Sequence, residues 1–200
     1  KGVFSGVSIS ATKFSYGVVE EQNGVLIIKN IFDVRKLTGE PIFSVERLYG
    51  IEAITGKHVA GFGDKNRDGY LFAPKGLKKG ESFMYWHINY DGPAHMQFAG
   101  EETINGLTVY HYETNYEGVT IDQTKNLSFL PGVGVTRGIN LDPYLQLWIE
   151  PQTGALINYK DETTAYYYDL ATGKRLYPWN QFSNTFKHSS ITTQVEIAKQ

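Results

Sequence analysis

The sequence predicts a mainly β fold, an antiparallel meander with few short helices. Apolar residues alternate with period two in short runs rich in β-branched and aromatic side chains. Glycine-containing turn dipeptides separate these runs. No helical pattern of about 10–15 residues falls between them, which disfavours parallel βαβ units.

The elements follow in chain order. Asn23-Gly24 is a hairpin turn into the strand Val25–Ile31. Thr38-Gly39 precedes Ile42-Phe43-Ser44-Val45, and Thr55-Gly56 closes that stretch. Phe83–Tyr90 and Leu107–Tyr112 read as strands, the second opened by Asn105-Gly106. Residues 115–144 read as a long covering loop punctuated by Pro131-Gly132, Gly134, Gly138 and Asp142-Pro143. The apolar residues within it, Leu127 and Phe129 among them, predict that it packs over one side of the sheet. Leu145–Ile149 and Tyr166–Tyr168 complete the strands, each followed by a Thr-Gly turn, Thr153-Gly154 and Thr172-Gly173. Residues 190–200 read as a short helix, with Ile191, Val195 and Ala198 at helical spacing and Thr193 with Glu196 as a capping box. The whole of 1–200 reads as one domain.

Composition narrows the function. A net charge of −2 and a pI near 6.2 argue against a nucleic-acid binder. No apolar run reaches the roughly 18 residues a membrane helix needs. Cysteine is absent, which removes thiol catalysis, disulfides and Cys-based zinc sites together. The 14 Tyr, 11 Phe and 3 Trp with only 20% charged residues lean toward an extracellular surface. Most of these rings suit a sheet core, and a curved sheet that must bury its inner face also leaves room for a groove for a small hydrophobic ligand. Lys1 opens directly onto Gly2, Val3 and Phe4, and Lys199-Gln200 closes the chain. Both ends read as cuts in a longer protein, with a processed mature protein as the alternative.

One motif carries candidate metal chemistry. Asp64-Lys65-Asn66-Arg67-Asp68-Gly69-Tyr70 matches the first half of a calcium loop. Asp64, Asn66 and Asp68 would ligate through side chains and Tyr70 through its carbonyl, with Gly69 allowing the sharp turn. The twelfth position holds Lys75 where a bidentate Glu belongs, so a further carboxylate such as Glu81 or Asp91 would be required. The same residues also make a plain interstrand turn. His87 and His111 lie in strand runs and read as hydrogen-bonded partners. Glu101 and Glu102 are adjacent on a strand, so they point to opposite faces and cannot act as an acid–base pair. No nucleophile elbow or phosphate loop is present.

Three stretches carry a family likeness: Thr38–Phe43; Gly69–Pro74 through Phe83–Trp86, Phe98–Glu102 and Ile104–Tyr110; and Leu147–Ala155. In order and content they resemble the DUF3068 family, also labelled PorA-family porin proteins. The resemblance implies an extracytoplasmic domain held between two membrane helices, with Ile191–Gln200 as the run leading to the second. It implies no catalytic residues. Trp148-Ile149-Glu150-Pro151-Gln152-Thr153-Gly154 is also similar to a turn of LolA/LppX-like lipoprotein carriers. That likeness implies a curved half-barrel with an apolar concave face, covered by 115–144. The expected function is a non-enzymatic, extracellular ligand-binding or sensing domain tethered to the cell membrane, such as the ectodomain of a sensor histidine kinase. The alternative is a structural cell-envelope domain acting through protein contacts. Oligomeric state is left open.

Overall fold

A computed structural model describes residues 10–120 and 137–200. Two compact units form, the first from residues up to Ile54 with His58–Asn66, the second from Thr55–Lys57 with Arg67–Gln200. Both are antiparallel β structures, so the predicted mainly β class holds.

The first unit is a four-stranded meander in the order β1 (Ser10–Gln22), β2 (Val25–Lys36), β3 (Pro41–Glu52), β4 (His58–Gly63). Asn23 and Gly24 both take positive φ, 52° and 78°, at the β1–β2 hairpin. One face of β2 is buried through Ile28, Asn30, Phe32 and Val34, the period-two pattern of a half-buried strand. Gly50 is required by packing: a Cβ there would lie 2.2 Å from Cβ of Phe62.

The second unit is a longer sheet in the order β11-β10-β9-β7-β6-β5. Its strands are β5 (Phe83–His87), β6 (Gly92–Ile104), β7 (Leu107–Asn115), β9 (Arg137–Ile149), β10 (Leu156–Asp169) and β11 (Arg175–Thr185). A two-residue β8 (Val119–Thr120) pairs with β9 alone. Along β9 and most of β10, burial alternates residue by residue. The inward set, Met96, Tyr112, Leu145, Leu147, Ile149 and Tyr159, forms the main core.

The loop expectation needs correction at its C-terminal end: residues 137–144 are strand, the first half of β9. Gly138 and Pro143 suggested a loop, but each has a place in the ladder. Gly138 lies under the ring of Tyr168, where a Cβ would come within 2.3 Å of ring atoms. Pro143 lacks an N–H, and it sits where the neighbouring lane changes from β7, ending at the Asn115–Tyr144 pair, to β8, beginning at Val119–Leu141. Its carbonyl accepts the Tyr116 N–H at 3.0 Å. Residues 121–136 lie outside the described residues, and the expected cover by that segment lies there too. Among the described residues, the concave core is packed by Ala73, Leu77 and Tyr116.

The helix is present as α1 (His188–Ala198), which starts earlier than the sequence suggested. Its N-cap is Lys187, without a side-chain cap. Thr193 therefore lies inside the helix, where its hydroxyl bonds back to the Ser189 carbonyl at 3.0 Å, so the capping box does not form. Val195 packs against Val109 and Ile157 on the convex side. A register shift between Leu156 and Asn158 goes with the turning of Ile157 to that side.

The Thr-Gly turns share a device the sequence reading missed. In two of them an acid stands three residues before the threonine and accepts its N–H and hydroxyl. Glu150 takes Thr153 N–H at 2.7 Å and Thr153 Oγ1–H at 2.6 Å. Asp169 takes the same groups of Thr172, each at 2.8 Å. The first turn also holds the core cover, because Pro151 and Gln152 carbonyls accept the N–H groups of Leu77 and Gly76 at 2.8 and 3.0 Å. Gly154 has φ 75°, and a Cβ there would meet the Ala73 carbonyl oxygen at 2.5 Å. Gly173 has φ 68° with open space around it. Gly154→Ala is therefore expected to cost about 2–4 kcal/mol, from strain plus displacement of the 73–77 segment, and Gly173→Ala about 1 kcal/mol from strain alone. Urea denaturation of the two variants checks this order.

Candidate functional site

Three of the four residues of the candidate metal loop are hydrogen-bonded within the local fold. In the first unit, Asp64 Oδ2 accepts the Leu48 N–H at 3.1 Å, and Asn66 Oδ1 accepts the Gly61 N–H at 2.8 Å. In the second, Asp68 is exposed. The Tyr70 carbonyl accepts the Trp86 N–H at 2.8 Å, while the Tyr70 N–H donates to the Met84 carbonyl at 2.9 Å. Tyr70 thus lies alongside β5 as an isolated parallel bridge to Tyr85. Gly69, at φ 75°, is needed because a Cβ would strike the Met84 carbonyl oxygen at 2.3 Å. These bonds favour the turn reading. No group of three or more acidic or histidine side chains suited to a metal occurs among the described residues.

The most concentrated set of ionisable groups lies elsewhere in the second unit. His87 ends β5, Asn89 and Tyr90 form the following turn, and Tyr159, Asp161 and Thr163 occupy alternate inward positions of β10. His87 Nε2 is 3.2 Å from Asp161 Oδ2 and 3.3 Å from the Tyr159 hydroxyl. Thr163 Oγ1 donates to Asp161 Oδ1 at 2.6 Å, and the Asn89 amide donates to Asp161 Oδ2. The Tyr90 ring lies against His87, with centroids 4.4 Å apart. Burial alone would push the Asp161 carboxyl up. The electrostatic influence of the adjacent His87 ring, and hydrogen bonds from His87, Thr163 and Asn89, override that and hold it below the usual carboxylate range.

This contact shapes the sheet. Between β5 and β10 lie three strands, β6, β7 and β9, so a flat sheet would separate them by roughly 19 Å at the normal strand spacing. A 3.2 Å contact between their side chains requires the sheet to roll, with the cluster on its concave side. Among the described residues, neither sheet closes into a barrel. Beside the cluster, Asp91 (φ 53°) accepts Trp86 Nε1–H at 2.8 Å and pairs with buried Arg67 at 3.4 Å. The β5–β6 turn is thus fixed by Asn89 on one side and by Asp91 on the other.

His87 was legible as a hydrogen-bonded strand histidine, but its partners were not. The available signal was Asp161, a charge at an inward position of an alternating strand, which demands a buried partner. With His87 at 0% and Asp161 at 1% exposure, the cluster is sealed from solvent.

The convex face of the same sheet is different. Glu101 and Glu102 do point to opposite sides: Glu101 reaches Lys79 at 3.3 Å, and Glu102 reaches His111 at 3.2 Å and Trp148 Nε1 at 2.9 Å. His111 stacks on Trp148 at 4.5 Å. Gln146 and Tyr144 extend this row to Glu113, which accepts the Tyr144 hydroxyl at 2.7 Å. Farther along, Arg175 makes a bidentate pair with Asp142 at 2.7 and 2.8 Å and lies over the Tyr166 ring at 4.1 Å.

The fold and these two faces define a mainly β protein whose larger sheet has a filled concave side and a polar, aromatic convex side. The chain belongs to the PorA porin family: the family model described as Porin PorA matches residues 16–200. Comparison with curated proteins gave no match. No helix among the described residues is long and apolar enough to cross a membrane, which leaves strands that span as a barrel unaddressed.

Two outcomes are expected. Asp161→Ala removes the partner of a buried imidazole and should lower stability by about 3–5 kcal/mol. Because Asp161 is held below its unfolded value of about 3.9, its contribution is present above that pH and is lost as pH falls through the folded value; the variant should lack this part of the acid slope in pH-dependent unfolding. Calcium titration by calorimetry should give no binding heat, whereas heat abolished by Asp64→Ala would reinstate the metal loop.

Proposed function

We propose that this chain is an extracytoplasmic, non-enzymatic domain of a membrane-anchored cell-envelope protein, acting through protein contacts. Porin-family membership points to the envelope. The observation that carries the contact reading is the difference between the faces of the larger sheet. Its concave side is filled by the protein's own side chains, Met96 and Tyr112 at 0% exposure and Leu147 at 1%. Its convex side presents ordered aromatic groups, Trp148 stacked on His111 and Tyr144 held by Glu113, and aromatic side chains are enriched where proteins meet other proteins.

A second reading, ligand sensing, draws on a groove in the first unit lined by Lys29, Glu46, Arg47, Leu48 and Asp64, with a volume of about 350 Å³. In that reading the domain is the ectodomain of a signalling receptor such as a sensor histidine kinase.

The cysteine-free sequence allows a direct test of location. Leu37, at the β2–β3 turn, is 67% exposed. Leu37→Cys in the full-length protein should react with a membrane-impermeant maleimide in intact cells. Labelling only after lysis would overturn the extracytoplasmic placement. Native mass spectrometry separates the two readings: a bare chain mass supports contacts, and a retained small molecule supports sensing.

A further inference from the structure

The segment that covers the concave core also carries the densest run of positive charge in the chain. Lys75, Lys78 and Lys79 follow one another closely, with only Gly76 and Leu77 between the first two. Their direction is fixed by the core beneath them. Ala73 and Leu77 are buried in it, and the three lysines are exposed. The backbone that carries them is pinned, because the Gly76 and Leu77 N–H groups donate to the Gln152 and Pro151 carbonyls at 3.0 and 2.8 Å. Gly76 and Gly80, at φ 71° and 89°, turn the chain at the two ends of the run.

The neighbouring carboxylates are committed elsewhere or leave the charge open to solvent. Glu81 accepts the Lys78 N–H at 3.0 Å, and Glu150 accepts the donors of its own turn. Glu101 pairs with Lys79 at 3.3 Å, yet the Lys79 side chain is 62% exposed. On the convex side the strands show the opposite balance, Glu102, Glu113, Asp142 and Glu162 against Lys160 and Arg175. A basic patch thus stands apart in a chain whose net charge is −2.

We propose that this segment docks the domain against a lipid surface rich in anionic headgroups, with Lys75, Lys78 and Lys79 making the contact. Charge complementarity names the occupant. Lysine is a compact charge on a flexible stem, which suits headgroups that move laterally. A fixed carboxylate or phosphate is better held by the planar fork of arginine, and residues 70–82 contain none. The net charge argues against nucleic acid, and porin-family membership points to a membrane neighbourhood. Each lysine close to such a surface is worth about fivefold in affinity, so the three together give about a hundredfold. The inference goes beyond the contact reading by adding a lipid partner, and it rests on the envelope placement only for its biological use.

Co-sedimentation of the purified chain with vesicles tests it. Binding is expected to phosphatidylcholine vesicles containing about a third phosphatidylglycerol, and it should fall as salt rises. Vesicles of phosphatidylcholine alone should bind far less. Lys75→Gln and Lys78→Gln should each weaken binding about fivefold, and the triple variant that adds Lys79→Gln about a hundredfold. Lys78→Arg keeps the charge and should bind as the unaltered chain does. Lys160→Gln removes a charge from the convex side and should leave binding unchanged. All three segment lysines are exposed, so their variants should unfold thermally as the unaltered chain does. A chain that ignores anionic vesicles overturns the proposal. So does binding that is equal on the two vesicles, or that survives the triple substitution. Labelling at Leu37 is read in intact cells, so the envelope placement stands or falls separately.

Discussion

The contact between His87 and Asp161 is the constraint on which the larger sheet depends. It joins two strands that are not neighbours in the ladder, so it exists only when the sheet has rolled. A buried histidine–carboxylate contact is poor evidence of stability by itself, since desolvation offsets much of the attraction. Its value here is selective. A flatter sheet would take the His87 and Asn89 donors away from Asp161, and a differently rolled one would strand His87. Asn89 from the β5–β6 turn and Thr163 and Tyr159 from β10 converge on the same two groups, so the penalty for misplacing them is shared across two segments. The apolar core supplies the drive to collapse, and the polar cluster specifies which collapsed form is reached.

The acid-to-threonine turns show a related economy on the outside. A carboxylate that accepts two N–H groups and a hydroxyl does locally what a longer loop would need tertiary contacts to do. At Glu150 the turn also exports its own carbonyls to the 73–77 segment, so a hairpin between two strands becomes the latch of the core cover. Burial would raise the Glu150 carboxyl; the hydrogen bonds from the Thr153 hydroxyl and the Gln152 and Thr153 N–H groups outweigh it and hold the group ionised. Asp169 makes the same arrangement at the surface without a segment to hold, so the motif reports turn geometry rather than a cavity. The likeness to lipoprotein half-barrel carriers drew on one instance of this motif.

Much of the fold was legible because its signals are local. Alternation from Leu145 to Ile149 marks a strand half, and Asn23-Gly24 and Asn105-Gly106 mark hairpins, each through dihedral preferences that need no tertiary partner. Residues 137–144 were misread because Gly138 and Pro143 are breakers in isolation; only the Tyr168 ring and the change of lane from β7 to β8 make them acceptable in a strand. The capping box at Thr193 failed because the helix began before it. The buried cluster was out of reach because sequence periodicity gives the face of a residue but not the curvature that brings two distant strands together. His87 and Asp161 are separated by the whole of β6, β7 and β9.

The division of the lane beside β9 has a further consequence. β7 and β8 each take one stretch of β9, and the residues between Thr120 and Arg137 are bracketed by the ladder that β8 makes with Asn140 and Leu141. The ends of that insert are therefore clamped together by the scaffold itself. β9 thereby keeps a paired neighbour on both sides of Pro143, the one residue of that strand with no N–H to give, because the lane beside it changes hands there.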